Sequence, residues 1–76
     1  MLEEELKRIL VDECGVEPES IRLDAELRED LGLDSLDMVR IIMAIESSFN
    51  VGIPDEEFAH VVTVGDALGV IRLRVA

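Results

Sequence analysis

The chain has 76 residues, of which 49% are hydrophobic, and its 18 acidic and 7 basic side chains give a formal net charge of −11. This length allows one compact domain, residues 1–76, and the apolar content is too high for a disordered acidic tail. The acidic balance argues against binding to nucleic acid or to anionic membranes, both of which attract clustered Lys and Arg.

The scarcity of cysteine and histidine limits the chemistry that the chain could support on its own. Cys14 is alone, which excludes an internal disulfide and a cysteine-based zinc site, and we expect it to pack as a small apolar residue. The acidic stretch at residues 30–34 has glycine where a calcium loop needs an oxygen ligand. No apolar run is long enough to span a membrane, and the N-terminus lacks the features of a signal peptide. We therefore expect no metal site, no membrane insertion and a cytoplasmic location.

The first predicted helix covers residues 2–14. Apolar residues recur at helical spacing between charged ones, Gly15 is a typical helix stop, and Pro18 disfavours helix at the residue before it. The predicted apolar face consists of Leu2, Leu6, Ile9, Leu10 and Cys14.

Residues 16–19 are predicted to form a turn, and the segment from there to Asp34 shows no lasting period and is predicted to be a long ordered loop. A loop of this length is uncommon in so small a domain and is usually functional when it occurs. We expect it to be pinned to the core by Ile21, Leu23, Leu27, Leu31 and Leu33.

The second predicted helix begins at Asp34 or Ser35, either of which can cap it, and ends near Phe49. At 100° per residue its core face consists of Met38, Ile41, Ile42, Ile45 and Phe49. A second apolar stripe, formed by Leu36, Val39 and Met43, exceeds what a surface helix needs. Two interpretations stay open at this point, since either the protein's own loop or first helix covers this stripe, or a partner protein does.

Two further helices complete the predicted fold. A short one of about two turns follows Pro54, with acids at residues 55–57 in its first turn. Thr63 and Asp66 form the pattern of a capping box that opens the last helix. The apolar sides are Phe58, Val61 and Val62 in the short helix, and Val64, Ala67, Leu68, Ile71 and Val75 in the last. The predicted fold class is all-α: a small four-helix bundle with three main helices, one short helix and a long ordered loop between the first two.

Ser35 has two interpretations from the residues alone. It could simply cap the second helix, or it could be an exposed hydroxyl that another enzyme modifies, since a helix N-terminus stabilises an attached phosphate. As a catalytic nucleophile it is poorly served, because residues 32–36 lack the second glycine of a nucleophile elbow and no oxyanion-hole motif is recognisable. We predict no catalytic residues.

Residues 30–37 (DLGLDSLD), residues 53–57 (IPDEE) and the pair Thr63-Val64 closely resemble the bacterial acyl carrier protein family. The resemblance extends from the first helix to about Ile71. It implies a carrier that is not an enzyme, in which Ser35 receives 4′-phosphopantetheine from coenzyme A through a phosphopantetheinyl transferase, the holo-acyl-carrier-protein synthase. Acyl groups would travel as thioesters on the thiol of that arm, often shielded between the helices, for fatty acid biosynthesis or a related acyl pathway.

The resemblance also implies a face for partners such as the transferase, ketoacyl synthases and acyltransferases. The matching positions are Asp34, Leu36, Asp37, Val39, Met43 and Glu46. The chain departs from the family at Arg40 and at the neutral pair Ser47-Ser48, where acids are typical.

Arg40 is included in the predicted partner face, and two hypotheses about it stay open. In the first, Arg40 does no more than form an (i, i+3) ion pair with Asp37. In the second, it selects among partner proteins by repelling basic ones. The alternative function is therefore a specialised carrier for a polyketide, aminoacyl or lipid-modification pathway. A further alternative, from another class of protein function, is an unmodified interaction module that binds partners through the second apolar stripe. The high charge favours a monomer.

Overall fold

The computed structural model describes residues 2–75 and contains four α-helices. They are α1 (Leu2–Cys14), α2 (Ser35–Phe49), α3 (Asp55–Phe58) and α4 (Val64–Val75), with a short 3₁₀ helix at Pro18–Ser20. The described residues form no strand, only an isolated antiparallel bridge between Glu26 and Thr63. This confirms the predicted all-α bundle. Met1 and Ala76, the ends of the predicted domain, lie outside the described residues.

Helix α1 has the predicted face and stop. Leu6, Ile9 and Leu10 are buried, whereas Cys14 is only partly buried. Gly15 adopts a positive φ of 68°, and its N–H donates to the Val11 carbonyl, which ends the helix in the way that favours glycine. The buried face packs mainly against α2.

The segment between α1 and α2 is ordered by burial and by hydrogen bonds to residues 62–65, before and at the start of α4. Ile21, Leu27 and Leu33 are buried as predicted, but Leu23 is half-exposed, so the prediction that it pins the loop was wrong. The Leu27 N–H donates to the Val62 carbonyl at 2.9 Å, so the backbone itself ties this part of the loop to the segment before α4. The position of the loop that leads to Asp34 is therefore fixed by its contacts with the rest of the fold.

Helix α3 is one turn, shorter than the predicted two turns. Phe58 is its buried anchor, while Val62 is exposed and lies beyond the helix. The Val62 carbonyl accepts from Leu27 and its N–H donates to the Asp66 carboxylate, so neither group is available to continue a helix. These two hydrogen bonds, one of them from the distant Leu27, replace the second turn that the apolar spacing predicted.

Helix α4 begins with the predicted capping box. The Asp66 N–H donates to Thr63 Oγ1 at 3.0 Å, and the Thr63 N–H donates to Asp66 Oδ2 at 3.1 Å. Val75, which lies on the same side of the helix as the predicted apolar residues, is exposed because it is the last residue of α4. The remaining predicted residues of this face, Val64, Ala67, Leu68 and Ile71, are buried.

Candidate functional site

The N-terminus of α2 is organised by Asp34. The Asp37 N–H donates to Asp34 Oδ1 at 2.9 Å, and the Asp34 N–H donates to Asp37 Oδ2 at 3.2 Å, which is a reciprocal capping box. The sequence left the cap open between Asp34 and Ser35, and the structure assigns it to Asp34. Ser35 is therefore not required to cap the helix.

Asp34 also sets the charge beside Ser35. The N–H of Asp37 holds the pKa of the Asp34 carboxyl below its usual value, because the hydrogen bond favours the ionised form. A carboxylate thus precedes Ser35 at neutral pH.

Ser35 is the first residue of α2, and it is exposed. The N–H groups of a first helical turn lack intrahelical partners, and the helix dipole places partial positive charge there, so a phosphate on this hydroxyl would be stabilised. The hydroxyl can be reached from solvent by another protein.

The second apolar stripe of α2 is exposed. Leu36, Val39 and Met43 keep 68%, 51% and 63% of their surface accessible, so neither the loop nor α1 covers them. On the opposite side of the helix the buried residues are Met38, Ile41 and Ile45, while Ile42 and Phe49 are partly buried. The structure thus answers the question that periodicity left open, because the stripe lies on the surface next to Ser35.

The charged residues predicted for the partner face also make contacts within the chain, beyond the capping box of Asp34 and Asp37. Arg40 Nη1 lies 3.4 Å from Asp37 Oδ1, which is the expected (i, i+3) pair. Glu46 Oε2 accepts a hydrogen bond of 2.9 Å from the Ile53 N–H, a contact that ties the end of α2 to the segment before α3. Glu46 therefore lies toward that connection, while Asp34, Asp37 and Arg40 lie near the start of the helix.

A cavity of about 230 Å³ opens beside α2, and sequence reasoning missed it. Val39, which lines it, follows Ser35 by four residues and therefore lies about 6 Å along the same helix face. No local signal could have indicated Arg28 or Asp55 as lining residues, because they come from separate segments that only the tertiary fold brings together. The full lining is Arg28, Met38, Val39, Ile42, Asp55, Phe58, Ala59 and Val61.

Residues 2–75 show no feature of a metal site or of a membrane-spanning helix. No group of three or more His, Cys, Asp or Glu side chains in that range is arranged to hold a metal ion. None of the helices in the described part of the chain combines the length and the apolar character that crossing a bilayer requires.

Comparisons with known proteins define the class to which this arrangement belongs. Residues 4–71 match the model of a family described as the phosphopantetheine attachment site. The chain is also 43% identical over 69 residues to the acyl carrier protein of Wolinella succinogenes, and the aligned residues cover 91% of each protein.

The chain therefore belongs to the acyl carrier protein family within the phosphopantetheine-binding class. It is a carrier and not an enzyme, and its prosthetic group is a covalently attached 4′-phosphopantetheine. Membership implies interaction with a phosphopantetheinyl transferase and with enzymes of acyl pathways.

Proposed function

We propose that Ser35 is the residue to which 4′-phosphopantetheine is attached. The observation that carries this proposal is that Ser35 is an exposed helix N-terminal serine whose hydroxyl is not needed for capping, since Asp34 fulfils that role. It also adjoins the exposed stripe of Leu36, Val39 and Met43.

The residues around Ser35 fit the chemistry of this attachment. In the transfer, Ser35 Oγ would form a bond to phosphorus while the pyrophosphate bond of coenzyme A breaks, adenosine 3′,5′-bisphosphate would leave, and the hydroxyl proton would pass to a base of the transferase. The chain supplies an accessible acceptor and a helix terminus that stabilises the new phosphodiester charge. Once attached, the group provides a thiol on which acyl cargo is held as a thioester.

We also propose that the start and outer side of α2 form the surface that partner enzymes contact. Apolar side chains next to the attachment residue would lie against the enzyme while the arm enters its active site. The proposed partners are the holo-acyl-carrier-protein synthase, ketoacyl synthases and acyltransferases, met by a monomeric carrier in the cytoplasm. The proposed contact residues are Asp34, Leu36, Asp37, Val39, Arg40, Met43 and Glu46.

The cavity beside α2 is the proposed shelter for the acyl chain. Val39 lines this cavity and follows Ser35 on the same helix face. An arm attached at Ser35 and lying along that face would therefore extend toward the cavity. Replacing the partly buried Ile42 by Trp would fill it. We expect an octanoyl thioester on the Ile42→Trp protein to hydrolyse faster in water than on the parent protein, and an unchanged hydrolysis rate would contradict this role.

The proposed pathway is fatty acid biosynthesis, with a specialised acyl pathway as the second candidate. Arg40 favours the second candidate, because it places a cation among side chains that face partners. Comparing the rates at which ketoacyl synthases of the two kinds of pathway accept the loaded protein would separate them.

Intact-mass spectrometry tests the attachment site. We expect incubation with coenzyme A, Mg²⁺ and a phosphopantetheinyl transferase to add the mass of one phosphopantetheine to the protein. Ser35→Ala should remove this gain completely, while Ser47→Ala, a matched change on the exposed part of the same helix, should keep it. A gain of equal size in Ser35→Ala would overturn the assignment.

A further inference from the structure

The outer face of α2, defined here as Leu36, Val39, Arg40 and Met43, combines exposed aliphatic side chains with one cation. Its three apolar members are each more than half exposed, and the Arg40 side chain is 58% exposed. All four lie on the side opposite the buried Met38, Ile41 and Ile45. The face is therefore available for contact and carries a positive charge at its edge.

The acids of this helix are engaged within the protein. Asp37 is only 21% exposed, and its two carboxylate oxygens contact the Asp34 N–H and the Arg40 guanidinium. Glu46 uses its carboxylate to hold the Ile53 N–H at the far end of the helix. Neither acid presents an unengaged carboxylate next to the apolar residues of the outer face.

Arg40, in contrast, has donors to spare. It is the only basic residue of α2, and the 3.4 Å contact with Asp37 occupies one of the five N–H donors of its guanidinium. The planar guanidinium suits a carboxylate, which can accept two of the remaining donors side by side. The same charge repels Lys or Arg placed opposite it.

We propose that the outer face of α2 docks on an enzyme surface that offers an aliphatic pocket with a carboxylate at its edge, paired with Arg40. This inference rests on the proposed function, and it names the partner chemistry of the same surface. At long range the net charge of −11 attracts basic surfaces, while at contact Arg40 selects those that place an acid beside the pocket. Arg40 is thus a specificity-determining residue for the choice of docking partner.

The test measures binding of the phosphopantetheine-loaded protein to the ketoacyl synthase of the same organism, by isothermal titration calorimetry. Arg40→Gln should weaken binding about fivefold, the effect of losing one exposed ion pair. Arg40→Glu should weaken it at least about tenfold, because it places two carboxylates opposite each other. Arg72→Glu makes the same charge change on an exposed residue of α4 and should leave the affinity within about twofold of the parent protein.

The outcomes separate this inference from the proposed function. If Arg40→Glu binds as tightly as the parent protein or more tightly, the partner carries no acid at this position and the inference is wrong. Equal weakening by Arg72→Glu would overturn it as well, since net charge alone would then explain the effect. Failure of the parent protein to gain the phosphopantetheine mass, or retention of that gain in Ser35→Ala, would instead overturn the proposed attachment site. Circular dichroism of each variant confirms that the helices are retained.

Discussion

The N-termini of α2 and α4 are built from the same local capping motif but have different roles. Each begins with a reciprocal capping box, formed by Asp34 and Asp37 in α2 and by Thr63 and Asp66 in α4. The four hydrogen bonds have similar lengths, between 2.9 and 3.2 Å. Local geometry alone therefore does not distinguish the proposed attachment site from an ordinary helix start.

The two sites differ in what surrounds the first residue of the helix. Ser35 is exposed, whereas Val64 is 2% exposed and its N–H donates to the Ala25 carbonyl at 3.0 Å. The next residue of α4, Gly65, donates to the Leu23 carbonyl, and a Cβ there would lie only 3.1 Å from that oxygen. The loop before α2 thus covers the start of α4 while it leaves the start of α2 open. Accessibility, which is a tertiary property, makes the difference.

Exchanging the two first residues should give the largest effect. Val64→Ser removes a buried apolar side chain and buries a hydroxyl, so we expect it to lower the free energy of unfolding by about 2–4 kcal/mol. The reverse change, Ser35→Val, lies on the surface and should change stability by less than about 0.5 kcal/mol while it abolishes phosphopantetheine attachment. Urea unfolding and intact-mass measurement check both.

The combined Val64→Ser and Ser35→Val protein provides the control for this exchange. It has a serine at the start of a capped helix, but in a covered position, so it should gain no mass with the transferase. A phosphopantetheine mass gain in this folded double variant, located by peptide mapping to the start of α4, would show that capping, and not exposure, defines the acceptor.

Removing each cap should give the next largest effect. Thr63→Ala is expected to cost about 1 kcal/mol of stability and to leave the rate of phosphopantetheine attachment unchanged. Asp34→Ala should also lower the urea midpoint, but in addition it should slow attachment, because the start of α2 loses the hydrogen bonds that order Ser35. Equal attachment rates in the two variants would contradict a positioning role for Asp34.

The pH dependence of stability should reveal the cap of α4 separately. The N–H groups of Thr63 and then Val62 hold the pKa of Asp66 below its usual value, so the folded state binds that proton less readily than the unfolded state. The stabilisation is therefore present above the unfolded pKa and is lost as the pH falls through the folded pKa. The difference in urea midpoint between the parent protein and Asp66→Asn should shrink as the pH is lowered from about 7 to about 3. A difference that is constant over this range would contradict the assignment.

Added salt should give the smallest effect. Residues 1–37 carry a net charge of −9 and residues 38–76 a net charge of −2, so like charges are close in the first half of the chain. Screening them should raise the melting temperature modestly as NaCl is added. A melting temperature that is independent of ionic strength would show that this repulsion does not reach the folded state.

Much of this protein was determined by its sequence alone. The apolar periods of residues 2–14 and 35–49 predicted α1 and α2 because a period of 3.6 residues gives a helix one buried side whatever it packs against. The Thr63 and Asp66 pattern predicted the start of α4, since a capping box is closed by residues three apart. The resemblance of residues 30–37 and 53–57 to a known family likewise predicted the class of protein without reference to any contact.

Only the tertiary structure decided the rest. Periodicity showed that α2 has more apolar surface than one core face needs, but the packing of α1 and the loop decided that Leu36, Val39 and Met43 stay exposed. The length of α3 depended on the hydrogen bond from Leu27 to Val62, which joins residues far apart in the chain. The tertiary fold also decided the contact between Glu46 and Ile53 and the cavity beside α2. Local sequence patterns determine whether a single helix forms, whereas the exposure of its side chains depends on which surfaces the other segments cover.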